Sequence, residues 1–241
     1  MEIRRKFIVG LDLGTERDYS AAAIVEVVPG HLVAQSSANL QEATLARLFP
    51  PLPGSVESVY YVRQIKRWPL GTSYVEIAES VKRRFLDTQL YAPGYAKPVL
   101  VVDKTGVGRP VLDQLRAQGL NPLGIGITGA GAVNKQGPRD ATVPKRDLAL
   151  TLQILFQSKR IKLAKNLDEM EALVKELQAF KMKISQSGHD TYEAERESAH
   201  DDLVLSVCLA VWLGEYGEKY GLAVNEIRPL NVVDGGWKGW T

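Results

Sequence analysis

Residues 97–128 contain the pattern that most restricts the fold. "KPVLVVDKTGVG" is a short apolar run that closes on a carboxylate and a glycine turn. "RPVLDQLRAQG" follows at helical spacing, and "LNPLGIGIT" is a second apolar run. A strand without polar alternation is buried on both faces, the condition of a strand in a parallel sheet covered by helices. Two such strands around a helix predict a β-α-β unit.

The rest of the chain extends that unit. Residues 7–13 and 20–28 read as two apolar strands joined by the polar "GTERDY", a hairpin whose first strand is central. Residues 29–55 mix small, polar and Pro residues and predict an insertion or loop. "VESVYYVRQIKRWP" reads as a third, edge-type strand, and the spacing of Val75, Ile77, Ala78, Val81, Phe85 and Leu86 predicts a helix over 72–91 with Thr72 or Ser73 as its cap. After a Gly-rich loop, "VPKRDLALTLQILFQSKR" and "NLDEMEALVKELQAF" predict two helices, "KMKISQ" a strand, and "SAHDDLVLSVCLAVWLGEYG" a long closing helix. The expected fold class is α/β, a mixed β-sheet flanked by helices on both faces, forming one domain over 1–220 with a C-terminal tail over 221–241.

Composition narrows the function classes. With 241 residues, 45% of them hydrophobic, the chain can bury one substantial core. A net charge of +2 is too small to make the whole surface bind polyanions, so any nucleic-acid contact must come from a local basic patch. The single cysteine, Cys208, excludes a disulfide framework and a cysteine-ligated zinc site. No apolar run approaches the roughly 18 residues that span a bilayer. Asp12 interrupts the first apolar run where a signal peptide would stay apolar, so a cytoplasmic protein with no membrane partner is expected.

Acidic residues fall where chemistry is favoured. Asp12 and Asp103 end apolar strands, and Asp201 and Asp202 open the last helix. Taken singly, each is an ordinary turn or cap residue. As a set they differ, because one cap would suffice and clustered carboxylates repel unless a cation offsets them. Mg²⁺ and Mn²⁺ prefer carboxylate oxygens, and two ions about 4 Å apart can clamp both oxygens of a phosphodiester displacement.

Strand-Asp, hairpin, strand-Asp and a late helix carrying "HDD" together resemble the RNase H-like nuclease domain of the large terminase subunit of tailed bacteriophages. "VPKRDLALTLQILF", "LVKELQAFKMKI" and "HDTYEAERESAHDDLVLSVCLAVW" extend the resemblance, the last segment being the most specific. It implies a metal-dependent endonuclease that cuts concatemeric viral double-stranded DNA during genome packaging in the host cytoplasm, using two Mg²⁺ or Mn²⁺ ions. Asp12 and Asp103 would bind metal from the strands, and Asp201 and Asp202 from the helix. Adjacent helical residues point about 100° apart, so one of the last two binds directly. Asp18 is either an accessory carboxylate or a turn residue. No G-x-x-x-x-G-K-[ST] loop occurs in these residues, so the chain is either an excised nuclease domain or a stand-alone protein whose implied partners are a separate terminase ATPase motor, a small terminase subunit and a portal.

Lys104, Arg109, Lys135, Arg139, Lys145 and Arg146 are candidate contacts to the DNA backbone, with solvated surface charge as the alternative reading. His200 either assists the acids or faces solvent. Three competing functions fit parts of the pattern: a RuvC-like junction resolvase, a non-cleaving DNA-binding or assembly module, and an ATP-binding protein of the actin and heat-shock type, suggested by "GLDLGT" and "DKTGVG". The ATPase reading requires a second nucleotide-binding half and has no use for "HDD".

Overall fold

The structure is a computed structural model that describes residues 5–14, 18–30, 57–85, 90, 95–106, 108–186 and 200–224. Its elements are β1 (Lys6–Asp12), β2 (Ser20–Val28), β3 (Val59–Trp68), α1 (Tyr74–Phe85), β4 (Val99–Asp103), α2 (Gly108–Ala117), β5 (Leu123–Thr128), β6 (Asn134–Gly137), β7 (Asp140–Pro144), α3 (Lys145–Gln157), β8 (Ile161–Leu163), α4 (Met170–Gln186) and α5 (Asp202–Tyr216). The strands form one mixed sheet in the order β6-β7-β5-β4-β1-β2-β3-β8. β1 lies inside it, antiparallel to β2 and parallel to β4.

Strand alternation divides the core into two layers. Ile8, Val99, Val101, Ala21 and Ala23 face α3, α4 and α5, in a layer that holds Leu148, Leu152, Leu173, Phe180 and the apolar side chains of α5. Val9, Leu11, Leu100 and Val102 face the other way, onto Ile77, Ala78 and Val81 of α1 and Leu112 and Leu115 of α2. The expected α/β sheet with helices on both faces is therefore what forms. α5 is buried from Asp202 through Leu213, with Ser206 the one polar residue between those two, as its nearly continuous apolar run requires. It lies directly on β1 at Gly10, where a Cβ would overlap the Ser206 carbonyl oxygen.

Ser73 settles the start of α1. Its Oγ accepts from the Glu76 amide at 3.3 Å while its own amide donates to Glu76 Oε2 at 3.1 Å, a capping box. Four expectations are corrected. Residues 181–186, "KMKISQ", continue α4 rather than forming a strand. The segment read as a Gly-rich loop contains β6 and β7, paired with each other and, through β7, with β5. Pro144 ends β7, so the following helix begins at Lys145. β3 is not an edge, because the three-residue β8 pairs with it in parallel.

Most of the expected insertion over 29–55 and of the tail over 221–241 lies outside the described residues. Leu222 and Val224 are buried against the α5 layer, and the Ala223 amide donates to the Pro138 carbonyl at 2.7 Å. Among the described residues no helix is long and apolar enough to cross a membrane.

Candidate active site

The sheet brings Asp12 and Asp103 to one face. β1 and β4 run parallel with Gly10 opposite Val101 and Leu11 opposite Val102, so the next residue of each strand, Asp12 and Asp103, continues the same register. Both carboxylates fall on the α5 side, since Gly10 and Val101, two residues back, face that layer. The Gly10–Ser206 contact sets α5 against β1, and Asp202 lies one helical turn before Ser206. Asp12, Asp103 and Asp202 are each buried to 7% exposure.

Burial and mutual repulsion leave their mark on these groups. Asp12 has its carboxyl pushed well above the ordinary range, first by loss of hydration and then by the charges of Asp103, Asp202 and Asp201. Burial also raises Asp103, offset by its hydrogen bonds with Thr105, whose amide donates to Asp103 Oδ1 at 2.7 Å. One oxygen of Asp103 thus serves the turn, as the ordinary reading of a strand-end aspartate expects. Asp202 is raised by burial and lowered in part by Arg67 and His200. Its buried Oδ2 makes no hydrogen bond among the described residues.

Asp201 occupies the cap position of α5 yet makes no side-chain capping bond. Its Oδ2 instead accepts from Lys145 Nζ at 2.7 Å. Lys145, expected on DNA, therefore points at the acids, and its charge also acts on Asp12 and Asp103. The capping role falls to a residue the sequence reading missed. Glu176 of α4, only 6% exposed, accepts from the amides of Leu203 and Val204 through Oε2 at 3.0 and 3.1 Å. Its Oε1 is in contact with Arg67 Nη2 of β3, and that same nitrogen lies 3.7 Å from Asp202 Oδ2. Arg67 also stacks on the Tyr19 ring, against whose edge His200 packs. A signal for Glu176 was present: it stands between Leu173 and Phe180 on the apolar stripe of α4, where a charge needs a buried partner.

The remaining candidates are dispersed. Asp18 lines a hollow with Gly14, Ser20, Gly71, Thr72 and Tyr74. His200 Nδ1 is 3.9 Å from Asp202 Oδ2 and half exposed. Lys104 pairs with Asp140 and donates to Gln136 Oε1 at 3.0 Å. Lys135 donates to the Gly221 carbonyl at 2.7 Å, Arg139 to the Asn121 carbonyl at 3.0 Å and Arg146 to the Gly131 carbonyl at 2.9 Å; Lys135 and Arg146 are exposed and Arg139 is half-buried. Arg109 stands in the first turn of α2, and its side chain lies outside the described residues.

The donor set suits a hard divalent cation in kind, being carboxylate oxygens whose repulsion a cation would relieve. Among the described residues, no three His, Cys, Asp or Glu side chains converge into a ready-made metal centre.

No family model matches the chain. No curated protein matches it either. Among solved structures, the human cytomegalovirus terminase nuclease domain, manganese-soaked and inhibitor-bound, aligns over 86% of this chain and 84% of its own, with a TM-score of 0.50 and 12% identity. The large terminase nuclease of thermophilic phage G20c aligns over 89% and 82%, with a TM-score of 0.47 and 17% identity. This chain has the fold of a terminase nuclease domain.

Proposed function

We propose that this protein is a metal-dependent endonuclease acting on double-stranded DNA, and that it cuts concatemeric viral DNA during genome packaging together with a terminase ATPase motor, small terminase subunit and portal. One observation carries the reading: Asp12, Asp103 and Asp202, from two neighbouring strands and one helix, are buried on one face, and the charges of Asp103, Asp201 and Asp202 all act on Asp12. Such a cluster is costly to a fold even with Lys145 and Arg67 nearby, and a bound cation would recover that cost.

In this reading Asp12, Asp103 and Asp202 hold Mg²⁺ or Mn²⁺. When bound, the ions supply a hydroxide-like nucleophile and stabilise the departing oxygen. The protein's own groups do the rest. Gly10 and the capped start of α5 fix the distance between strand and helix carboxylates. Lys145 holds Asp201 at the rim, and the exposed Lys135 and Arg146, with the half-buried Arg139, offer charge to phosphate.

Supercoiled-plasmid cleavage tests this. With Mn²⁺ or Mg²⁺ the wild type is expected to nick and linearise the plasmid, with EDTA to leave it intact, and Asp103→Asn to be inactive in both metals. A folded wild type that leaves plasmid uncut in either metal, or an Asp103→Asn variant as active as wild type, contradicts the proposal.

A further inference from the structure

We propose that Glu176 is a positioning residue that draws the Arg67 guanidinium away from Asp202 and so keeps that carboxylate open to a divalent cation. The inference rests on the metal-site reading above and adds a control element to it. Arg67 Nη2 stands between two buried acids, in contact with Glu176 Oε1 and 3.7 Å from Asp202 Oδ2. The guanidinium is mostly enclosed and lies over the Tyr19 ring, with both carboxylates within 4 Å of Nη2. Nη2 lies nearer Glu176 Oε1 than Asp202 Oδ2, and among the described residues none of these three atoms makes a well-formed hydrogen bond, so proximity alone favours Glu176.

Glu176 is itself held by two backbone donors at the start of α5, Leu203 and Val204, which fix its other oxygen. One carboxylate therefore does two things. It caps the helix that carries Asp202, and it occupies the cation that would otherwise fill the place of a metal. Asp201, relieved of capping, is left to Lys145.

The two tasks separate by substitution. Glu176→Gln keeps an acceptor for the α5 amides but removes the charge that retains Arg67, so the guanidinium turns to Asp202. Mn²⁺ binding, read by titration calorimetry, is expected to weaken by at least roughly tenfold, the scale of lost outer-shell support around a metal. Adding Arg67→Met to Glu176→Gln removes the competitor and is expected to recover most of the lost affinity. A purely structural Glu176 makes the double variant no better than the single one.

Unchanged Mn²⁺ affinity in Glu176→Gln, or no recovery in the double variant, overturns the proposal. If circular dichroism shows Glu176→Gln unfolded, Arg67→Met alone decides: binding at least as tight as wild type supports the competition, and weaker binding by the folded variant overturns it. Wild type that takes up no Mn²⁺ overturns the metal-site reading itself, a result distinct from one confined to the variants.

Discussion

Asp12→Asn is expected to lose cleavage almost completely while making the metal-free protein more resistant to heat. Asparagine keeps the shape of the side chain and removes the charge that would bind metal. Several kcal/mol of transition-state stabilisation go with it, about a thousandfold or more in rate.

The stability gain follows from the sign of the pKa shift. Asp12 titrates well above its unfolded value of about 4, so its contribution to stability is complete below that value and is lost as pH rises through the folded one. Asp103 and Asp202 are raised in the same sense and add to the trend. Metal-free wild type is therefore expected to lose stability as pH rises above the ordinary carboxylate range through these groups. Asp12→Asn is expected to melt higher at neutral pH with a flatter dependence, and Mn²⁺ to raise the melting temperature of wild type far more than that of the variant. Melting curves in EDTA and in Mn²⁺ check both halves. A variant less stable than wild type at neutral pH would mean that Asp12 is held by structural partners.

Gly10→Ala is expected to damage both the fold and the site. The new methyl group would overlap the backbone carbonyl of Ser206, which no rotamer change can relieve, so α5 must move off β1. Overpacking of this kind costs about 1–3 kcal/mol, and more where backbone is the obstacle. The displacement also separates Asp202 from Asp12. A shift of about 1 Å in a catalytic group costs on the order of a hundredfold in rate. Urea unfolding and plasmid cleavage on the same sample are expected to show both losses. A variant of wild-type stability and rate would show that the strand and helix carboxylates do not depend on this contact.

What could be read from the sequence followed how strongly each residue's surroundings dictate it. β1 and β4 are apolar because both faces are covered, and that pattern located Asp12 and Asp103 at their ends. α5 was legible for the same reason. β6, "NKQG", is polar and exposed, and only pairing with β7 makes it a strand. β8 has three residues, too few for any period to show. "KMKISQ" alternates like a strand while Phe180 and Ile184 keep the helical spacing of α4, and a six-residue segment cannot separate the two periods.

The site divides in the same way. Carboxylates at strand ends and at a helix start were visible, because position in the element predicts them. Lys145, Arg67 and Glu176 meet the acids only through tertiary packing, from residues 56, 135 and 26 positions away from Asp201 or Asp202. Lys145 read as a contact to the DNA backbone, with solvated charge as the alternative, because the turn from Pro144 into α3, which aims it at Asp201, is not encoded in its neighbours' polarity.

The acids' role as cation ligands is open to direct observation. Crystals of wild type soaked in Mn²⁺, with diffraction recorded at the manganese absorption edge, give an anomalous difference map that marks each ion independently of the phases of the protein. The expected result is a peak ligated by Asp12 together with Asp103 or Asp202, absent from Asp12→Asn crystals treated alike. Peaks confined to other surfaces at saturating Mn²⁺, with the three carboxylates left as they stand, would contradict the metal-site assignment and the nuclease reading built on it.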